Sequence, residues 1–349
     1  MVDICIRMGP KKEAPKAGGG EVVEGEDPTV LLKNYQTQSK LVGLPTHSGL
    51  VSALSGVNAE GETVPLKQIL VDDTETSLVL GSGGTRVLMQ AILGSGSAMK
   101  GGPFKLVESI RLWRSKCCDD GAAAIAEVLR LGGGDVKIAY LELLDNNIGP
   151  RGALALGTSL SRGNNLSLLT LKLDYNSTFG SEGLSNLCRG LRTNISMKQL
   201  HLMYCKIDEE GGKYLADVLS NSKSALELLN IGGNKLGGKG LSYLCSGLIE
   251  NQRLEKLQLN DNYIDENPED LDGLAALRDC MMTPTCAVTS IDLLFNRIGE
   301  AGANVLLPAF SDPNCKVSEF LVDSSLPLDL FEQIFKSGGG GKKKKGKKK

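Results

Sequence analysis

Residues able to do covalent or metal chemistry are scarce in this 349-residue sequence. Two histidines occur, His47 and His201, so a histidine-rich metal site is excluded. No Ser/His/Asp or Cys/His set is placed by pattern either. Nine cysteines are present, but Cys117–Cys118 and Cys280/Cys286 lack paired C-x-x-C spacing and read as structural thiols. The stretch Gly233–Lys239 (GNKLGGK) matches G-x-x-x-x-G-K, yet Gly240 stands where Ser or Thr would meet magnesium. No cofactor, no metal, no small-molecule substrate and no enzymatic activity are therefore expected. What remains is contact chemistry. Arg111 and Arg114 flank the single tryptophan, Trp113, and Lys172, Tyr175, His201, Met203 and Tyr204 form an amphipathic set further on. Trp, Tyr and Arg are the side chains that concentrate binding energy at protein interfaces.

The elements that must position these residues are announced by a repeated phrase. L-x-L-x-x-N-x-I-G, or a close variant, occurs at Leu141–Gly149, Leu171–Gly180, Leu200–Asp208, Leu229–Gly237, Leu257–Asp265 and Ile291–Gly299. Equivalent positions from Leu112 to Val322 recur every 28 to 34 residues. The longest unit carries an insertion around Glu266–Asp270. Between the phrases runs G-x-x-x-L-x-x-x-L, as in Gly152/Leu156/Leu160, whose four-residue step predicts a helix with one apolar face. Each unit is thus a strand, a turn and a helix, and a fixed period of this length predicts a solenoid.

Side chains alternate along a strand, so the two leucines enter the core and the residues between and after them face out. One outward stripe reads Arg111, Glu142, Lys172, His201, Asn230, Gln258, Asp292. The next reads Trp113, Leu144, Asp174, Met203, Gly232, Asn260, Leu294. At the strand exit come Arg114, Asp145, Tyr175, Tyr204, Gly233, Asp261, Phe295. From these rows the candidate partner-binding residues are Arg111, Trp113, Arg114, Glu142, Lys172, Asp174, Tyr175, His201, Met203 and Tyr204. Trp113 has a second reading, in which it packs under an N-terminal cap. The asparagine satisfies turn backbone groups, with Cys205 in its place in one unit. Degenerate units are expected at Leu66–Thr74 and Val107–Ser115, with Thr74 and Ser115 in the asparagine place. The first is followed by a loop at Gly81–Gly84 and a helix at Arg86–Leu93.

The domains follow. Residues 1–27 are rich in Gly, Lys, Glu and Pro and read as disordered. Residues 28–63 form a helical cap broken at Pro45, residues 64–335 form the solenoid, and residues 336–349 form a disordered Gly/Lys-rich tail. Lys342, Lys343, Lys344, Lys345, Lys347, Lys348 and Lys349 make that tail an electrostatic arm. Setting these seven lysines aside takes the formal net charge from −2 to −9, so a basic arm is attached to an acidic body. An acidic polymer such as tubulin is one surface it could contact; stable membrane anchoring is not expected, for want of a lipidation signal. With no apolar run fit for a signal peptide or a membrane span, a cytoplasmic, reducing location is expected. The sequons at Asn165, Asn176 and Asn194 are then chance matches.

From Val107 to Phe335 the chain resembles the leucine-rich repeat family, and its helix-containing units resemble the ribonuclease-inhibitor-like subtype. The resemblance implies an α/β fold, a curved solenoid with parallel strands on the concave face and helices on the convex face. It also implies a non-enzymatic scaffold that binds a protein partner on the concave face. Tyr35–Leu50 (YQTQSKLVGLPTHSGL) resembles the lead-in of ciliary and cytoskeletal leucine-rich repeat proteins, which suggests a cytoskeletal or ciliary component. The alternative is a GTPase-activating protein resembling the Ran GTPase activator, with Arg111 and Arg114 as candidate arginines. The acidic C-terminal stretch of that activator is replaced here by a basic one.

Overall fold

The computed structural model describes residues 26–338, apart from 59, 76, 77, 96, 97 and 133. The expectations for residues 1–25 and for Lys342–Lys349 lie outside the described residues. Ten strands form one sheet in strict sequence order. They are β1 (Gln68–Asp72), β2 (Ser109–Trp113), β3 (Tyr140–Glu142), β4 (Thr170–Lys172), β5 (Gln199–His201), β6 (Leu228–Asn230), β7 (Lys256–Gln258), β8 (Ser290–Asp292), β9 (Glu319–Leu321) and β10 (Lys336–Ser337). Strands β1 to β9 pair in parallel, and β10 runs antiparallel to β9.

A helix follows each of the first nine strands: α3 (Gly81–Leu93), α4 (Cys118–Leu131), α5 (Pro150–Leu160), α6 (Gly180–Leu191), α7 (Glu210–Leu219), α8 (Gly237–Leu248), α9 (Pro268–Met281), α10 (Gly299–Leu306) and α11 (Leu328–Ile334). Two more, α1 (Pro28–Leu41) and α2 (Ser48–Ala53), precede the sheet. Strands stack about 4.8 Å apart while helices need about 8–10 Å. The stack therefore bends into a curved solenoid with the strands inside. One apolar core runs its whole length, from Leu31 and Tyr35 of α1 to Leu330 and Ile334 of α11.

Buried amides tie each turn to its neighbour. Asn176 donates from Nδ2 to the carbonyls of Leu143 (2.9 Å) and Leu173 (2.7 Å). Its Oδ1 accepts from the backbone N–H of Asn146 (3.0 Å) and Ile148 (2.9 Å). Asn234 and Asn296 repeat this four-bond pattern. A second ladder, which the repeated phrase did not announce, runs where helices return to strands. There Asn165, Asn194 and Asn251 each donate to the carbonyl of a leucine in the helix of the previous unit, in α4, α5 and α7 respectively. The three sequon asparagines are all buried in these two ladders.

The array departs from the sequence expectations in its end units. In the first unit, Thr74 is exposed and Asp73 is the buried polar group instead. Asp73 accepts from the Leu80 N–H (3.0 Å) and faces His47 Nε2 at 2.9 Å. His47 is the N-cap of α2: its Nδ1 accepts from the Leu50 N–H at 3.2 Å. A carboxylate inside the first unit thus latches the cap, a task that a threonine hydroxyl one residue later could not do. Helix α3 begins at Gly81, so Gly81–Gly84 is its first turn rather than a loop. The insertion near Glu266 supplies the N-cap Asn267 and lengthens α9. At the other end, Lys336 and Ser337 were expected to open the tail but form β10. Asp27, assigned to the N-terminal segment, caps α1 by accepting from the Thr29 N–H.

Candidate functional site

The register of the sheet sets Arg111, Glu142, Lys172 and His201 side by side on four successive strands. Each lies between two buried apolar residues, so each points to the concave face and is half-buried. Arg111 Nε stands 3.7 Å from Glu142 Oε2, and its guanidinium lies 4.7 Å from the centre of the Tyr140 ring. The Lys172 ammonium sits 5.6 Å from the same ring. Tyr140 donates its hydroxyl to Glu142 at 2.8 Å. This tyrosine organises the patch, yet it was absent from the candidate residues. Period-two alternation would have found it, because it sits two places before Glu142 on β3.

His201 is neutral under ordinary conditions: burial and then the Lys172 charge lower its pKa from 6.5 to about 4. The unfolded chain binds a proton here before the folded one does, so the His201 contribution to stability is complete above about pH 6.5 and is lost as pH falls toward 4. An NMR titration of the His201 ring is expected to give a midpoint well below 6.5 that rises in Lys172→Gln. A midpoint unmoved by that substitution would remove the lysine from the cause. Asp174 accepts from the Met203 N–H at 2.7 Å, and burial raises its pKa.

At the strand exits the backbone turns through positive φ in seven successive units: Arg114 (53°), Asp145 (51°), Tyr175 (63°), Tyr204 (52°), Gly233 (69°), Asp261 (54°) and Phe295 (62°). This turn swings the exit side chains onto the rim. Tyr175 and Tyr204 stack there, with centroids 4.9 Å apart and planes 21° from parallel. Tyr204 then crosses the next unit to donate to Asp261 Oδ2 at 3.3 Å. It can cross because Gly233 has no side chain; a Cβ there would meet the tyrosine ring. Trp113 lies on the concave side of β2, in register with Asp72 and half-buried. Arg114 donates to Thr74 Oγ1 (2.8 Å) and stands 3.5 Å from Asp145.

The sequence candidates thus fall into two groups. Arg111, Glu142, Lys172 and His201 adjoin on the concave stripe, while Arg114, Tyr175 and Tyr204 stand on the rim beside Trp113, Asp174 and Met203. Both arginines considered for GTPase activation are held against carboxylates. Among the described residues, no helix is long and apolar enough to cross a membrane. The seven tail lysines, Lys342 to Lys349, lie outside the described residues.

The family model described as "Leucine Rich repeat" matches residues 193–216 and 224–245. The chain is similar to the ribonuclease inhibitor of Mus musculus, 26% identical over 262 residues, which cover 68% of this chain and 55% of that protein. The Sus scrofa ribonuclease inhibitor is 30% identical over 171 residues, covering 48% of this chain and 35% of that protein. NACHT, LRR and PYD domains-containing protein 12 of Mus musculus is 32% identical over 156 residues, covering 44% and 14% respectively. The chain therefore spans at most about half the length of these relatives. Period, buried asparagine ladder, sheet order and these likenesses agree that the chain is a leucine-rich repeat protein of the ribonuclease-inhibitor-like subtype.

Proposed function

We propose that this chain is a non-enzymatic scaffold that binds a protein partner on its concave face. The observation that carries the reading is the Arg111–Tyr140–Glu142–Lys172 cluster, continued by His201 and the stacked Tyr175–Tyr204 pair. It presents charge, aromatic surface and hydrogen-bonding groups on rigid strands, as a pre-organised interface requires. The similar proteins are named for leucine-rich repeats or for inhibiting a ribonuclease, which supports a binding role. Arg111 and Arg114, each beside a carboxylate, do not favour the GTPase-activating alternative.

The test compares wild type with a Trp113→Ala/Lys172→Ala/Tyr204→Ala variant in capture from cell extract, with captured proteins identified by mass spectrometry. Loss of a protein that the wild type captures, at unchanged melting temperature, supports the reading. A folded variant that captures the same proteins at the same level overturns it.

The finer part of the proposal is a cytoskeletal or ciliary setting, in which the tail lysines Lys342–Lys349 contact an acidic surface such as tubulin. Its support is the segregation of charge between tail and body. Deleting residues 342–349 should reduce co-sedimentation with microtubules at low salt, where a polycation binds most strongly. Equal co-sedimentation would remove this part and leave the concave-face reading standing.

A further inference from the structure

Four aromatic side chains are exposed among the described residues: Tyr175 (49%), Tyr204 (37%), Tyr263 (62%) and Phe295 (70%). All four sit at positive φ, between 52° and 63°, on the turns that leave the strands. A left-handed backbone disfavours a bulky L-residue, and Gly or Asn meets the same turn without that penalty. The chain itself uses those solutions at Gly233 and Asn147. Each aromatic is therefore doubly unfavourable, once in backbone conformation and once in apolar exposure. Tyr175 and Tyr204 offset part of this by stacking, whereas Tyr263 and Phe295 have no ring partner among the described residues. Strain and exposure that the fold does not require point to binding.

The charges on this rim say what kind of partner fits. Lys206, Lys235 and Arg297 are exposed along the same turns, with no ion-pair partner among the described residues. They are interspersed with the aromatics from the β5 unit to the β8 unit, on a body whose formal net charge is −9 once the tail lysines are set aside. Three spaced cations are too sparse for a continuous phosphate chain, whose uniform charge the carboxylates of Asp208 and Asp265 on the same edge would repel more strongly than a few separated carboxylates. A segment that carries both apolar side chains and separated single carboxylates matches this mixture of exposed rings and isolated cations.

We propose that the strand-exit rim from Tyr175 to Phe295 binds an extended segment of a protein partner in which apolar side chains are interspersed with carboxylates. The apolar side chains lie on the aromatic rings, and the carboxylates pair with Lys206, Lys235 and Arg297. This surface borders the concave stripe and extends the interface three units beyond it, to Tyr263, which the strand pattern alone does not select, and Phe295. It does not rest on partner binding at Arg111, Trp113 or Lys172.

The test uses the full chain and a fluorescein-labelled twelve-residue peptide of alternating leucine and glutamate, followed by fluorescence anisotropy. Saturable binding is expected, weakened by added salt and at least about tenfold weaker in Y263N/F295N. The same double variant is expected to melt at an equal or higher temperature, because asparagine accepts the left-handed turn. A W113A/K172A variant should bind the peptide as the wild type does. The proposal is overturned by any of four results: no saturable binding, affinity within twofold of wild type in Y263N/F295N, a lowered melting temperature in that variant, or equally tight binding of a leucine–lysine peptide or oligothymidine.

Discussion

Asn176→Ala is expected to destabilise the protein by about 3–5 kcal/mol. The side chain satisfies four buried backbone groups: two carbonyls, of Leu143 and Leu173, and two N–H groups, of Asn146 and Ile148. Alanine leaves three of them without a partner and the Leu173 carbonyl with only the weak Cys205 thiol, and water cannot replace the amide at a fully buried position. Each unmet buried group costs about 1–3 kcal/mol, so partial relaxation still leaves a loss in the stated range. Asn176→Asp should be at least as damaging, since it removes both donors and turns a carboxylate toward two carbonyl oxygens. Exposed Ser177→Ala is the control and should change stability by less than about 0.5 kcal/mol. Urea denaturation measures all three; a loss below about 1 kcal/mol for Asn176→Ala would mean that the ladder is not what couples the units.

The second large effect is expected at Gly190, in the middle of the α5–α6 contact. Glycine to alanine inside a helix ordinarily gains about 0.5–1 kcal/mol, because alanine loses less backbone freedom on folding. Here the sign should reverse. A Cβ on Gly190 would overlap the carbonyl oxygen of Gly157, so the two helices must move apart to admit it. The overlap is with backbone, which cannot rotate away as a side chain would. Net destabilisation by about 2–4 kcal/mol is expected, and thermal melting of Gly190→Ala measures it. A rise in melting temperature would show that the helices slide past each other at little cost.

Much of the fold was legible because a solenoid writes its rules once per unit. The strand leucines, the turn asparagines and the helical G-x-x-x-L-x-x-x-L spacing fall where the phrase puts them. Legibility failed where a unit meets something other than another unit. Counting along the phrase selects Thr74, but the first unit faces the cap, and His47 requires a carboxylate, so Asp73 turns inward. Counting also ends the solenoid at 335, but the last strand has an open edge and Lys336–Ser337 pair with it. Of the candidate site, the row positions were legible and the side-chain partners were not. The alignment of Arg111, Glu142, Lys172 and His201 follows from the period, whereas the bridging role of Tyr140 depends on ring position. The positive φ of the exit row was not legible in the sequence, because four of its seven residues are neither Gly nor Asn nor Asp.

Cys205 carries a mechanical consequence. Its thiol donates to the Leu173 (3.2 Å) and Met203 (3.5 Å) carbonyls where its neighbours use a carboxamide. Sulfur is the weaker hydrogen-bonding atom at both ends of such contacts. In a chain of identical springs joined by nearest-neighbour couplings, the softest joint decides where the row parts. Among the six clear repeats, the row pulled from its two ends should part first between the units of β4 and β5. It would then yield as two blocks rather than unravel coil by coil from a terminus.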